Sequence, residues 1–532
     1  MKKYAHFLIN LIFYLAFPVI DGPVWCKDSL SYTTMDYSRE PLYPLFLAIL
    51  RRIFGDGTKA GAHLVWAVNL SGSGDARIQV PFYLFAAVLL QSVLAAAVVT
   101  AFVRTVVRYT GKTHLSLHKT SRPDPVSTVI TVKFNGLTVP ARTKKEMPQE
   151  SGVLRTALLT APFWGVQLLS RFGAQRASTY EESIMTEGIG ISLYVLFILC
   201  LWLYVRKHRR RDLLRMGLLV FLCISLRKQL AVTVIIACLV SFLYDVCRPL
   251  LHSGRRAQAE EKGADEVQSS GPVRPSIFQE LRRFLCAALV CASAFVLSMV
   301  FDCAYNKAVH GVFAPHTGNS MGICSSLFYT ARESDAQYCP DEESAELFRT
   351  ITAQIGQQKL SFYDLPEGAA WTDIAEQYAL AYDQIGYGVM NSVIDGYLKE
   401  KEPELDGMAF YQRVDDIESH LRDGLMHQAK GPVIRVWLAN FGEALMNTAL
   451  RMSPALIPAV AMLYAAWAGL LGAAFVRRRD GGARTMGTVT AASILVNCAV
   501  VSAVIFPQTR YMIYNMALFY ASGILMLEAQ WG

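Results

Sequence analysis

A handful of charged residues in this chain sit where a charge is costly, and together they suggest a chemistry. Asp28, Arg39 and Glu40 share one polar stretch near the start, Glu187 opens an apolar run, Arg227 and Lys228 separate two others, and Arg510-Tyr511 leads into the last. A carboxylate can take a proton from an attacking hydroxyl, and cations can neutralise a departing phosphate. Carboxylates and cations gathered on one face therefore suit group transfer from a phosphate-linked donor. Taken singly, a charge beside an apolar run usually marks a membrane interface. Glu187 and Arg227 resist that explanation, because each adjoins lipid-like sequence and needs a partner or water. A salt bridge between helices accounts for them as well as a functional role does.

The elements that must position these residues are apolar runs. Hydrophobic residues make up 53% of the 532-residue chain and charged residues only 18%. The deficit of charge is concentrated in stretches about 20 residues long, the thickness of a bilayer in helix. Ten spans are expected: 4–20, 81–103, 153–170, 184–205, 213–226, 230–246, 284–301, 454–475, 486–505 and 511–527. The net charge of +8 comes from basic clusters between spans, which places them on the cytoplasmic side rather than on nucleic acid. Arg206-Lys207-His208-Arg209-Arg210-Arg211 and Arg477-Arg478-Arg479 are the strongest such markers. Both termini are then cytoplasmic, and every residue singled out above is extracytoplasmic. The expected location is the plasma (inner) membrane. The first apolar run follows Lys2-Lys3 and lacks an Ala-x-Ala-like site, so it reads as a retained helix rather than a signal peptide. No inverted repeat of the transporter kind is visible.

The expected organisation is an N-terminal membrane module (1–301), an extracytoplasmic domain (302–451), and C-terminal membrane helices (452–532). The first module carries the first outside loop and two cytoplasmic insertions, 113–152 and 248–280. The run after Pro41 is too short to span and reads as a helix along the membrane surface. Alternation from Val126 to Val139 predicts a hairpin through Asn135-Gly136. The outside domain has helical spacing at 342–349 and 371–380. Its Trp371, Tyr378 and Tyr382 can bind an acceptor or simply pack, packing being favoured. Cys324 and Cys339 are either a disulfide or a free pair. No Cys/His run has metal-ligand spacing and His310 and His316 stand isolated, so cofactors are unknown and dependence on a divalent metal stays open.

Asp28-Ser-Leu-Ser-Tyr32, followed by Arg39-Glu-Pro-Leu-Tyr43-Pro44 and an apolar helix, resembles the first outside loop of GT-C fold glycosyltransferases. Protein O-mannosyltransferase-like and lipid A aminoarabinose transferase-like proteins are the most similar in pattern. Thr186-Glu187 is similar to the pair opening their fourth span, Leu226-Arg227 to an arginine ending a short span, and Arg510-Tyr511 to the Arg-Tyr before the last helix. Two features depart from the pattern. Asp28 stands alone rather than in an Asp-Glu pair, and Glu40 lies where some relatives have a small residue.

The resemblance implies an all-α multi-pass bundle of about ten transmembrane helices with a mainly helical extracytoplasmic domain. It implies a sugar donor on polyprenyl phosphate and a glycan, lipid or protein acceptor, with transfer inverting the anomeric configuration. Asp28 is then the candidate base, and Glu187 orients the acceptor. Arg227, Lys228, Arg510 and Tyr511 hold the donor phosphate, while Tyr32, Arg39, Glu40 and Tyr43 position the loop. The rivals are a flippase of lipid-linked glycans and a polymerase or ligase that uses diphosphate lipids.

Overall fold

A computed structural model describes residues 2–56, 63–67, 76–110, 131–134, 137–140, 149–173, 178–247, 277–318, 320–451, 453–477 and 481–531. Most of the two expected insertions, 113–152 and 248–280, lies outside the described residues, as do Arg478 and Arg479.

Helix dominates for a simple reason. A chain rich in lipid-length apolar runs must satisfy its backbone hydrogen bonds within each run, and only a helix does that without neighbours. Eight helices among the described residues are long and apolar enough to cross a membrane: Tyr4–Asp21, Phe82–Thr110, Glu187–Lys207, Lys228–Cys247, Ile277–His310, Pro454–Arg477, Gly481–Val504 and Thr509–Gln530. This is an all-helical membrane architecture, with eight such helices rather than the ten expected.

The two remaining expected spans do form helices, Gln149–Leu168 and Arg210–Leu226. Neither meets the length-and-apolarity standard, yet each runs the depth of the bundle. Arg155 pairs with Glu528 at 2.9 Å and bonds Thr110 at 2.6 Å at one end. Arg171, past the other end, pairs with Asp21 at 2.5 Å and Glu182 at 3.0 Å. The Arg210–Leu226 helix has 17 residues, which rise about 25 Å. It starts at the turn that ends the Glu187–Lys207 helix and returns to that helix's start, where Arg227 meets Glu187. Its first residues, Arg210, Arg211, Asp212 and Arg215, dilute an otherwise apolar run.

The bundle thus has two ends. One gathers the basic runs: Tyr204 donates to the Arg283 carbonyl at 3.1 Å, Trp202 to the Gly482 carbonyl at 3.1 Å, and Lys207 lies on the Tyr109 ring. The other gathers the acids and arginines of the candidate site.

Beyond that second end, the helices Met321–Phe328, Glu342–Gln357, Trp371–Asp383, Asn391–Lys401 and Gly407–Leu425 close a separate apolar core around Phe328, Phe348, Tyr378 and Leu421. Both helices expected from spacing, at 342–349 and 371–380, are present. The Lys430–Ala449 helix belongs to both cores. Val436 and Ala439 enter the outer one, whereas Ala444, Met446 and Ala449 enter the membrane bundle. Trp437 donates to the Ala499 carbonyl at 3.0 Å, and Asn447 to the Pro507 carbonyl at 2.6 Å.

Two small hairpins interrupt the helical fold. Strands Thr131–Phe134 and Leu137–Pro140 pair antiparallel with Phe134 opposite Leu137, the expected register about residues 135 and 136. The second, His63–Ala67 with Ala76–Val80, was not anticipated, although Leu64-Val65-Trp66 and Ile78 supply strand-favouring residues.

Because the basic end and the outer core are opposite, single cysteines at Arg211 and Lys359, both exposed, should be labelled from opposite sides. An impermeant maleimide on intact cells should reach Lys359→Cys, and Arg211→Cys only after permeabilisation. Labelling of both in intact cells would overturn this arrangement.

Candidate functional site

Five separate chain segments meet at the second end of the bundle. The first is the loop after Asp21. It is welded to the 178–186 loop by a short parallel bridge, in which Val24 N–H donates to the Glu182 carbonyl at 2.7 Å and Ile184 N–H to the Val24 carbonyl at 3.0 Å. The Ser29 hydroxyl adds a bond to the Ile184 carbonyl at 2.9 Å. Asp28 leads into the short helix Ser29–Thr33, and the Leu42–Phe54 helix follows Pro41. That helix lays Tyr43, Leu47 and Leu50 against the bundle and leaves Ile49, Ile53 and Phe54 exposed.

Asp28 is held between two guanidinium groups. Arg39 Nη2 donates to Oδ1 at 3.1 Å, and Arg510 Nη1 donates to Oδ2 at 3.0 Å. Burial alone pushes the Asp28 carboxyl up. Arg510 and Arg39 outweigh it and hold the group below the ordinary carboxylate range, so it is ionised at neutral pH. Arg39 is itself fixed by Ser31 Oγ at 2.7 Å and by the Tyr32 ring, 4.8 Å from its guanidinium carbon. Tyr32 meets Tyr43 edge-on at 5.1 Å, and the Tyr43 hydroxyl donates to Gln91 Oε1 at 2.9 Å. Gln91 in turn donates to the carbonyls of Glu181 and Ser183. The loop-positioning residues read from sequence therefore form one continuous support.

Arg227 and Glu187 make the buried pair. Arg227 Nη1 donates to Glu187 Oε1 at 2.6 Å, and the Glu187 side chain has no exposed surface. Tyr511 lies between the two halves of the site: its ring is 5.0 Å from the Arg227 guanidinium and 4.9 Å from that of Arg510, whose Nη2 also donates to the Tyr511 hydroxyl at 2.8 Å. Asp28, Arg39, Arg510, Tyr511, Arg227 and Glu187 are thus one connected cluster.

Lys228 faces elsewhere. Its backbone N–H donates to Glu40 Oε1 at 2.7 Å, and its charge sits within reach of Asp302, Glu40 and Asp415. Here the structure contains residues that spacing did not reveal. His316 Nδ1 lies 2.6 Å from Asp302 Oδ2, and its Nε2 lies 3.9 Å from Glu40. Asp302 lies within the Ile277–His310 helix and His316 in the loop after it, so no periodicity links them. Gln91 carried a signal, being a lone amide inside an apolar span.

Tyr378 and Tyr382 are buried packing residues, and Trp371 lies on Gly442. Cys324 and Cys339 are free thiols, with Cys324 bonded to the Glu418 carbonyl at 3.3 Å. Among the described residues no group of three or more His, Cys, Asp or Glu side chains is arranged to hold a metal ion.

Glu181 differs from its neighbours. Gln167 donates to its Oε1 at 3.0 Å, while Oε2 has no hydrogen-bond partner among the described residues. It lines a small cavity with Tyr14, Gln167 and Ser192. Burial, with a smaller contribution from Glu182, pushes its carboxyl up to about 8.

No protein-family model, curated protein or solved structure matches the chain. The geometry of the site carries the functional reading.

Two stability predictions follow from these charges. Arg227→Ala removes the 2.6 Å partner of the buried Glu187 and should cost about 3–5 kcal/mol, while Arg227→Met combined with Glu187→Gln should recover most of it. Thermal unfolding in detergent checks this, and equal losses in the single and double variants would contradict it. Glu181 takes up a proton on folding, because its folded pKa lies above the ordinary 4.5. It therefore favours the fold at acid pH, and stability falls as pH rises through the window from 4.5 to about 8. The slope is at most about 1.4 kcal/mol per pH unit. Glu181→Gln should flatten that slope and stabilise the protein at pH 8.5 relative to the native chain.

Proposed function

We propose that this chain is a GT-C-type glycosyltransferase that moves a sugar from a polyprenyl-phosphate donor to an acceptor hydroxyl at the extracytoplasmic face of the plasma membrane. The observation that carries this reading is Asp28 held between Arg39 and Arg510, with Arg227 sharing the Tyr511 ring. An ionised carboxylate and two cations beside one aromatic ring are the groups that transfer from a phosphate ester requires. Each comes from a different segment, and the Asp28, Arg39 and Arg510 side chains keep 21%, 25% and 28% of their surface open.

The chemistry is a single displacement. The acceptor oxygen attacks the anomeric carbon as Asp28 takes its proton. The bond from that carbon to the phosphate oxygen breaks, and the phosphate monoester leaves paired with Arg510 and Arg227. The configuration inverts. Arginine suits this task because its planar fork meets phosphate oxygens two at a time. On this reading both termini are cytoplasmic, the donor's tail lies among the helices and its head group reaches the site.

The arginines that keep Asp28 ionised also make it a weak base, since a lowered pKa reduces its hold on a proton. Donor binding relieves this. The donor's phosphodiester, a monoanion, competes with Asp28 for Arg510, and each hydrogen bond that Arg510 transfers to phosphate returns basicity to Asp28. The base is thus strongest when the donor is in place. Arg39, bonded to the other oxygen, keeps the carboxylate aimed.

Asp28→Asn should insert and retain the co-purifying lipid while turnover per folded molecule falls by at least about a hundredfold. Arg510→Ala should lose both turnover and affinity for polyprenyl monophosphate, because the phosphate contact exists before the transition state. Near-normal turnover in folded Asp28→Asn sinks the base assignment. Mass spectrometry of the bound lipid tests the donor class: a sugar monophosphate is expected, and a glycan diphosphate would move the chain to the polymerase or ligase class.

A further inference from the structure

The displacement above needs an acceptor over Asp28, and three observations indicate what is built to hold one. First, the outer helix that starts at Trp371 passes into a π-helical turn, Gln384–Met390, a local widening that often accompanies functional sites. The turn is fastened at both flanks. Tyr382, just before it, rests on Phe506 at 5.3 Å and donates to the Gly322 and Val504 carbonyls. Gly386, within it, has no room for a side chain, because a Cβ there would lie 2.4 Å from Ser325 Oγ. Phe506 belongs to the loop that carries Arg510, so the turn and the site are held by the same segment.

Second, Tyr387 points out of this anchored turn with 57% of its surface open. Buried tyrosines abound in this outer core, and Tyr329, Tyr378 and Tyr382 are all inside it. Tyr387 is different, since its phenol lies within electrostatic reach of Asp383, Asp28, Arg39 and Tyr511. Desolvation nonetheless raises its pKa.

Third, farther along the first loop, Tyr37 lies 5.5 Å from Tyr411 of the outer core, and Tyr411 is 45% exposed. The seam between the first loop and the outer helices therefore carries the exposed Tyr411 ring against the half-buried Tyr37, while Tyr387 lies within electrostatic reach of Asp383 and Asp28.

Aromatic faces with carboxylates at their edge have a specific complement. A pyranose presents C–H bonds on its flat face and hydroxyls around its rim. The ring stacks on the first, and carboxylates accept from the second.

We propose that Tyr387 and the seam beside it form a saccharide-binding acceptor site, with Tyr387 stacking on the sugar ring whose hydroxyl is delivered to Asp28. This rests on the glycosyltransferase reading for its purpose, though binding itself can be measured without turnover. Asp383 accepts from the rim hydroxyls of the same ring. Tyr37 and Tyr411 extend the platform to a further sugar unit, so the site favours an oligosaccharide over a single residue.

The test uses the full chain in nanodiscs and saturation-transfer NMR. The probes are the methyl glycosides of glucose, galactose, mannose, N-acetylglucosamine and arabinose, the corresponding disaccharides, and a Ser/Thr-containing hexapeptide. At least one saccharide should show transfer, with its disaccharide binding more tightly. Tyr387→Ala should weaken that binding at least tenfold, Tyr387→Phe should retain it, and Leu380→Ala, an exposed control on the preceding helix, should not change it. Polyprenyl monophosphate retention should be the same in all variants. The proposal fails if no saccharide binds, if Tyr387→Ala binds as the native chain does, or if only the peptide shows transfer. Saccharide binding without retention of polyprenyl phosphate would leave this site standing and remove the donor assignment instead.

Discussion

The ion pair between Arg227 and Glu187 is the constraint on which the rest of this arrangement depends. Glu187 is the first residue of its helix and Arg227 caps the end of the next. Each therefore sits where the helix dipole favours its charge, acid at the N-terminus and base at the C-terminus. Removing one partner of a buried pair costs about 3–5 kcal/mol, a large share of a protein's net stability. The pairing obliges the Arg210–Leu226 helix, too short and too charged at its start to be an obvious span, to return to the level where Glu187 begins. Once that height is set, the 178–186 loop, the first outside loop and the last helix have a fixed surface to meet.

The same electrostatics explains why so many like-charged groups are tolerated together. Arg39, Arg227 and Arg510 crowd within reach of one another, and mutual repulsion opposes that. Asp28 and Glu187 offset it in alternation along the cluster, and Tyr511 contributes its ring face to two of the three cations. The result is a set of dipoles and charges already oriented before any substrate arrives, so little reorganisation is needed when charge moves during a reaction. Rigidity is supplied from beneath, through Tyr32, Tyr43 and Gln91, rather than by the charges themselves.

Much of this was legible in the sequence, for physical reasons that differ from residue to residue. Apolar runs of bilayer length must be helices, and basic clusters between them place the remaining polar residues at one end. That logic located Asp28, Arg39, Arg227 and Arg510 on a common face without any knowledge of contacts. It did not say that Lys228 turns away from its neighbour Arg227 toward Glu40 and Asp302, since adjacent residues at a helix break diverge in directions that only the tertiary structure decides. The His316–Asp302 contact joins a loop to the interior of the Ile277–His310 helix, and the strands 63–67 and 76–80 are only five residues each; neither has a period to read. Tyr387 was passed over in favour of Tyr378 and Tyr382 because helical spacing marks aromatics that pack, while an exposed aromatic in a distorted turn leaves no pattern.

The Lys430–Ala449 helix has a mechanical consequence. One rod is clamped in two cores, and near its inner end Asn447 holds the Pro507 carbonyl three residues before Arg510. Torque applied to the outer helices is thereby passed to the short loop that leads into the arginine touching Asp28. The outer layer is then not a cassette that evolution or an engineer can exchange freely. A replacement must bring its own rod, cut to the same length and seated at the same angle, or the charges at the membrane end lose their aim.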